Sequence, residues 1–279
     1  MNWWDDALHR ATAEVLLAGA LAGLVGVHVV LRRLSFFTMA LTHATFPGVV
    51  AASIIGVNII VGGAVAGAIV AVGVAALSRR RSQNTAAATG VMLSGGFALG
   101  AGLVASQNGF SRDLTSFLVG SILTVSPQDL MATAVALVVV AAVLLTCARP
   151  LRYSGFDPAG ARAAGFATGG WDVVLLLVIE VAVVTIVPAV GTILALALIV
   201  APAAAARQWS HRLSVITALA VTLGALSGLG GLYASSRWDV AAGASITLTA
   251  TAVLALSTVL SRLVRTRPTV PVHLRAASA

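Results

Sequence analysis

Charged residues are scarce in this chain, and that scarcity excludes a water-soluble protein. Only 9% of the 279 residues are charged, 59% are hydrophobic, and the mean hydropathy is +1.00. A soluble domain carries about 25% charged residues, so this composition cannot cover a surface that faces water. Because one crossing of a bilayer core takes roughly 20 apolar residues, the length leaves room for about eight to ten crossings and little else.

Lysine is absent, and its absence excludes one route of ATP hydrolysis. A Walker A loop requires a lysine on the phosphates, so the chain does not hydrolyse ATP by that route. Neither a GxSxG elbow nor an HExxH motif occurs, which leaves an intramembrane hydrolase without support. The single Cys147 excludes an internal disulfide. We therefore do not predict an enzyme, and we expect no permanently bound cofactor.

All 17 basic residues are arginines, and they lie in short runs between apolar segments. If the N-terminus faces outside and the crossings alternate, all but Arg10, Arg112 and Arg237 fall on the cytoplasmic side. An excess of arginine is typical of the cytoplasmic loops of membrane proteins. The net charge of +8 therefore indicates orientation in a membrane rather than nucleic-acid binding.

The apolar segments predict an all-α, polytopic integral membrane protein with about eight or nine transmembrane helices. Residues 107–128 are too short to span and predict a re-entrant or interfacial helix. Pro188 and Gly191 interrupt one long apolar run; we place two crossings there, with a helix broken at the midplane as the alternative. Residues 1–261 form one membrane domain, and residues 262–279 are expected to be a disordered cytoplasmic tail. The predicted crossings are 12–31, 41–60, 61–78, 86–106, 129–148, 171–190, 191–206, 213–232 and 240–261.

Two ionisable residues fall near the middle of predicted crossings. His43 lies ten residues past Arg33, and Glu180 lies eight residues past Asp172, which places each about 12–15 Å deep. Ionisable groups at that depth are rare and are candidates for function. Met39 lies one turn before His43 on the same helix face. Imidazole, thioether and carboxylate together can bind a transition metal; the alternatives are a hydrogen-bonded histidine, a packing methionine and a structural or protonated glutamate.

The longest cytoplasmic connection, residues 153–171, predicts a short capped helix. Asp157 or Ser154 can cap it, Pro158 suits its first position and Gly165 its end. A short helix between two crossings, with Arg162 on it, is suited to docking a cytosolic partner. The alternative is an ordinary ordered loop.

Four stretches, in this order along the chain, resemble the permease subunits of zinc and manganese importers in the bacterial ATP-binding cassette superfamily. No one stretch identifies the family alone, but four in the family's order do. The stretches are LRRLSFFTMALTHATFPGV (31–49), DLTSFLVGSIL (113–123), FDPAGARAAG (156–165) and VGTILALALIVAPAAAAR (190–207).

The resemblance implies a metal site and a docking helix. In the family, an Asp and a His of the first motif belong to the metal site; His43 matches the His, whereas Met39 occupies the Asp position. A soft thioether in place of a hard carboxylate weakens manganese as cargo and leaves zinc or copper. Glu180 matches no family position and stays a candidate on its own. The third stretch resembles the helix that contacts the ATPase, which implies docking by Asp157, Pro158, Arg162 and Gly165.

The resemblance also implies the partners: two copies of the permease, separate ATP-binding cassette subunits in the cytosol, an extracellular substrate-binding protein and membrane lipid, with no nucleic acid. The protein is expected in a bacterial cell membrane as a multi-pass permease that carries a divalent metal ion transiently. Three alternatives stay open: the same fold with a chelate or cofactor as cargo, an unrelated secondary transporter or channel, and a structural membrane scaffold.

Orientation is testable with cysteine probes. In a Cys147→Ser background, a single cysteine introduced after Gln107 should react with an impermeant maleimide from outside. A cysteine introduced after Thr269 should react only after the membrane is opened, because the arginine excess places that end in the cytoplasm. Reversed labelling of the two sites would contradict the predicted topology.

Overall fold

The structure, a computed structural model, describes residues 7–78, 85–106, 120, 122–165 and 168–265. In these ranges the chain forms twelve α-helices and one 3₁₀ turn at Ile122–Thr124. The helices are α1 (Ala7–Leu31), α2 (Ser35–Ala44), α3 (Phe46–Ile55), α4 (Ile59–Ser78), α5 (Thr85–Ala105), α6 (Pro127–Thr146), α7 (Ala148–Phe156), α8 (Pro158–Ala163), α9 (Thr168–Val190), α10 (Thr192–Arg207), α11 (Leu213–Trp238) and α12 (Ala242–Arg265).

Most of these helices are long and apolar enough to cross a membrane. Eight such spans occur in the described residues, with α2 and α3 together forming one span of 21 residues, Ser35–Ile55. Helix α10 is shorter, with 16 residues. In hydrocarbon a chain must satisfy its backbone hydrogen bonds internally, and a helix does so within one segment. The all-α, multi-pass fold predicted from the sequence is confirmed.

Helix α1 lies at the centre of the bundle. It packs against α6, α9, α10 and α11, and eight of its apolar side chains are at most 1% exposed: Ala11, Val15, Ala18, Leu21, Ala22, Val25, Val27 and Val29. It approaches α11 closely, where Gly19 faces Gly224 and Gly23 faces Ala220. Small residues let two backbones approach this closely, which is how helices pack in lipid.

The contacts fix the relative directions of the helices. Along α1 and α11 the contacting pairs run Gly19 with Gly224 and Gly23 with Ala220, so these helices are antiparallel. Along α4 and α9, Gly63 contacts Val184 and Gly67 contacts Glu180, which is again antiparallel. Direction therefore alternates along the chain, as a succession of crossings requires.

The second crossing differs from its sequence-based prediction. It spans Ser35–Ile55 rather than 41–60, and it is interrupted at Thr45, between α2 and α3. Pro47 accounts for the interruption because it has no N–H to donate to the carbonyl of His43, four residues earlier. The broken helix considered for residues 188–191 thus occurs here instead. Pro188 lies inside α9, and the chain turns at Gly191, whose φ is +91°, so two helices separate there as predicted.

Several predictions fall partly or wholly outside the described residues. The re-entrant or interfacial helix predicted within 107–128 lies largely in residues 107–119 and 121, which the structure does not describe. The described part of that range contains the 3₁₀ turn and the start of α6. Helix α12 continues to Arg265, past the boundary at 261, and residues 266–279 of the predicted tail are outside the description. The two positions chosen for cysteine probes, after Gln107 and after Thr269, also lie outside the described residues.

The glycine contact between α1 and α11 is testable by substitution. A Cβ at Gly19 would lie 2.6 Å from the Gly224 carbonyl oxygen and 2.9 Å from the Ala225 Cα. Because backbone cannot yield as a side chain does, Gly19→Ala should lower stability by about 1–3 kcal/mol. The matched control is Gly102→Ala on α5, where a Cβ meets nothing within 4 Å. Thermal unfolding of the purified protein in detergent should show a lower Tm for Gly19→Ala only; equal Tm values would contradict the close packing.

Candidate functional site

His43 and Met39 lie on α2, the first half of the interrupted second crossing. Both side chains are half-buried. His43 is the ninth residue of the Ser35–Ile55 span, and the interruption at Thr45 follows it directly. The Thr42 hydroxyl donates to the Met39 carbonyl over 2.7 Å. Pro47 cannot donate to the His43 carbonyl, which accepts from the Thr45 N–H instead. This half of the crossing therefore ends close to the His43 imidazole, near the middle of the span.

Glu180 lies on α9 with its carboxylate buried inside the protomer. The residue is 2% exposed, and neither carboxylate oxygen has a hydrogen-bond partner among the described residues. The carboxylate occupies the space that Gly67 of α4 leaves, since a Cβ at Gly67 would overlap it. A buried carboxylate without a partner is strongly unfavourable when ionised, so this group requires a proton or a cation.

The structure places His43 and Glu180 at nearly the same depth on helices that contact each other. Val49 of α3 and Val184 of α9 both lie against Gly63. The α2–α3 crossing and α9 run in the same direction, because each is antiparallel to α4. Thr45 lies four residues before Val49 on the second crossing, and Glu180 lies four residues before Val184 on α9, so Thr45 and Glu180 are at the same depth. His43 is two residues further back than Thr45, about 3 Å along the axis.

The described residues contain no group of three or more His, Cys, Asp or Glu side chains that could hold a metal ion. The side chains available near this depth are therefore one imidazole, one thioether and one carboxylate, fewer than a closed metal cage needs. The roles of His43, Met39 and Glu180 as metal ligands stay predictions.

The predicted capped helix is present in the connection between α6 and α9. Helix α8 begins at Pro158, and the Gly160 N–H donates to the Asp157 carboxylate over 2.8 Å. Asp157, and not Ser154, is thus the cap. Gly165 follows the helix with φ +83°, a conformation that favours glycine. Asp157, Arg162 and Gly165 are exposed.

Exposed aromatic side chains precede α8 on α7. Phe156 is 74% exposed and Tyr153 is 57% exposed. Large apolar side chains left in water beside an exposed arginine are typical of a surface that a protein partner covers. The docking role predicted for this segment therefore has a fitting surface, and it stays a prediction.

The sequence analysis missed the buried Glu14 and the contacts of the partly buried Arg32. Glu14 of α1 is 0% exposed and accepts a 2.7 Å hydrogen bond from the Thr133 hydroxyl. Arg32, directly after α1, was predicted to set orientation and to belong to the first family-like stretch, yet its side chain also contacts α7 and α9. Glu14 could have been identified from the sequence, because it is an acidic residue near the start of the first apolar run. The contacts of Arg32 could not be predicted from the sequence, because its partners lie more than 115 residues away.

The chain is similar to known membrane transport proteins over most of its length. The model of the ABC 3 transport family matches residues 4–261. The chain is 33% identical over 250 residues to the manganese transport system membrane protein MntC of Halalkalibacterium halodurans, covering 90% of this chain and 86% of that protein. It is 34% identical over 244 residues to the zinc transport system membrane protein TroC of Treponema pallidum, covering 84% and 81%.

A solved structure shares the fold. PsaBC from Streptococcus pneumoniae, solved in complex with Fab, matches with a TM-score of 0.80 and 30% sequence identity, covering 90% of this chain and 90% of that one. The family model, which matches residues 4–261, includes the central α1, the interrupted second crossing and the α7–α8 segment.

Proposed function

The chain belongs to the ABC 3 transport family of metal-importer permeases, and from this premise we propose that it moves a divalent transition metal ion into the cytoplasm, driven by ATP hydrolysis on a separate subunit. The observation that carries the proposal is the pairing of an interrupted helix with an unpartnered carboxylate. Met39 and His43 lie on the interrupted crossing, and Glu180 lies at nearly the same depth on α9. Ionisable groups at membrane depth mark ion pathways.

Each of the three side chains takes a distinct part in this proposal. His43 offers a neutral imidazole nitrogen, the commonest ligand for late transition metals. Glu180 offers the negative charge that offsets the desolvation of a divalent cation, and the cation in turn satisfies a carboxylate that nothing else does. Met39 offers a weak, soft thioether. A site with few ligands releases its ion readily, as transport requires.

The identity of residue 39 bears on the cargo. Relatives of this chain are named for manganese and for zinc. A thioether is a poor ligand for manganese and a tolerable one for zinc or copper. We therefore favour zinc over manganese. A metal chelate is the second candidate cargo, since a chelate brings its own hard ligands and needs none from residue 39.

The cytoplasmic segment α7–α8 supplies the proposed ATPase contact. The chain lacks the lysine of a Walker A loop, so hydrolysis requires a partner. Asp157 and Pro158 fix the start of α8 and Gly165 fixes its end, which leaves Arg162 and the aromatic pair Tyr153 and Phe156 on a rigid exposed surface. A rigid helix holds a docking surface in a more precise position than a flexible loop does, so a displacement of the partner moves the permease with it.

The remaining partners follow from the mode of transport. A second copy of the permease completes the pathway, and an extracellular binding protein delivers the ion. In a bacterial membrane the N-terminus faces outside and the C-terminus the cytoplasm. This is the orientation that places α7–α8 in the cytosol beside the ATPase.

Substitution of the metal ligands tests the proposed cargo site. His43→Ala should reduce zinc uptake by proteoliposomes at least about tenfold, because one good ligand is lost. Met39→Asp should raise manganese and zinc uptake relative to copper(I), because a carboxylate is a harder ligand. The buried charge costs about 2.5–3.5 kcal/mol on insertion scales unless a cation compensates it. The matched control is His211→Ala, at an exposed cytoplasmic position, which should transport like the wild type. Unchanged rate and selectivity in both test variants would contradict the metal role of these residues.

Loss of the α8 cap tests the docking surface. Asp157→Ala combined with Arg162→Ala should uncouple the permease from its ATPase, since the cap contributes about 1 kcal/mol and the arginine supplies charge. Co-purification of the ATPase and metal uptake should both fall. Asp157→Asn is the control, because asparagine caps a helix as well as aspartate does. Normal ATPase association and uptake in the double variant would remove the docking assignment.

A further inference from the structure

The Arg32 guanidinium is the most densely bonded side chain on the cytoplasmic side of the described structure. One of its terminal nitrogens donates to Asp172 Oδ1 over 2.7 Å, forming an ion pair. The other donates to the Leu151 carbonyl over 2.6 Å and to the Ser154 hydroxyl over 2.8 Å. Its side chain is 13% exposed, whereas that of Asp172 is 52% exposed. A partly buried guanidinium with three acceptors is a fixed junction rather than a loose surface pair.

The backbone around Arg32 is fixed by the way α1 ends. The Leu34 N–H donates to the Val29 carbonyl over 2.8 Å, and the Arg33 N–H donates to the Val30 carbonyl over 3.3 Å. This pair of bonds is a Schellman motif. Arg33 occupies its left-handed position with φ +58°, a conformation that is unfavourable for any residue with a Cβ. The surrounding contacts therefore hold this turn in place, and Arg32 with it.

The partners of Arg32 belong to the moving parts of the proposed transporter. Leu151 and Ser154 lie on α7, directly before the docking helix α8. Asp172 lies in the first turns of α9, which carries Glu180 eight residues later. Arg32 itself lies three residues before α2, which carries Met39 and His43. The Arg32 side chain thus contacts the docking segment and the start of α9, and its backbone leads into α2 three residues later.

We propose that Arg32 is the positioning residue that couples the docking segment to the metal pathway. A displacement of α7–α8 by the ATPase reaches the Arg32 guanidinium through the Leu151 carbonyl and the Ser154 hydroxyl. This displacement reaches α9 through the ion pair with Asp172, and it reaches α2 through the Schellman turn at Arg33. This coupling role rests on the proposed function, because it needs an ATPase that moves α7–α8.

The guanidinium suits this role through its shape. Its planar fork holds acceptors in two directions at once, whereas a lysine ammonium is a point charge on a flexible stem. Arg32→Lys therefore keeps the positive charge that Asp172 requires, but it cannot hold Leu151, Ser154 and Asp172 in one fixed geometry. That substitution separates the geometric contribution of Arg32 from its charge.

The first experiment measures hydrogen–deuterium exchange in the permease without its ATPase. Backbone amides of residues 150–163 should exchange faster in Arg32→Lys and in Ser154→Ala than in the wild type, because the docking segment loses its tether. The matched control is Arg212→Lys, since Arg212 is exposed before α11; it should exchange like the wild type.

The second experiment uses the complex of permease, ATPase and binding protein in proteoliposomes. Arg32→Lys should lower the zinc transported per ATP hydrolysed by about two- to thirtyfold, with the complex assembled and hydrolysis continuing. A merely structural role would instead lower assembly or Tm. If Ser154→Ala acts through the same contact, the double variant should lose less coupling than the two single losses combined.

The outcomes distinguish this inference from the proposed function. Wild-type exchange and wild-type stoichiometry in Arg32→Lys would overturn the coupling role of Arg32 and leave the proposed function standing. A wild-type complex whose ATP hydrolysis drives no zinc uptake would overturn the proposed function, and the coupling role with it. Faster exchange in residues 150–163 together with a lowered zinc-to-ATP ratio would support both.

Discussion

A chain that lies in hydrocarbon has to bond its backbone groups to each other, and this constraint shapes every part of the molecule. It explains why the described chain is almost entirely helical, and it makes an interruption at membrane depth unfavourable. The interruption at Thr45 is therefore informative. Pro47 leaves the His43 carbonyl without its helical donor, next to the side chain that offers an imidazole. The Thr45 N–H takes the place of that donor, so the backbone at this depth is satisfied locally although the helix is interrupted.

The second constraint is the absence of a hydrophobic driving force between helices in lipid, which leaves close packing to hold them together. The contacts of Gly19 with Gly224 and of Gly23 with Ala220 bring α1 and α11 to backbone contact. The same principle operates at Gly63 and Gly67, where α4 approaches α9. Close packing of this kind therefore joins α1 to α11 and α4 to α9.

Composition and hydropathy predicted the all-α multi-pass fold because both follow from the solvent and need no knowledge of contacts. The cap at Asp157 was predicted because capping depends on residues three apart. The bounds of the second crossing were not predicted correctly, because a short apolar segment gives no unique register and Pro47 interrupts the helix. Glu180 was found by depth alone, but its fit against Gly67 and the three acceptors of Arg32 depend on packing between distant segments. Local chemistry is legible in a sequence, whereas long-range complementarity is not.

The fit of Glu180 against Gly67 also bears on how this chain can change over evolutionary time. The carboxylate occupies the volume that a side chain at position 67 would need, so the residue at one position limits what the other can hold. A descendant that acquires alanine at 67 must shorten or lose the acid at 180, and one that loses the acid leaves a void that a larger residue at 67 can fill. Covariation between these two positions, rather than the invariance of either, is the trace that a buried carboxylate of this kind leaves in a family.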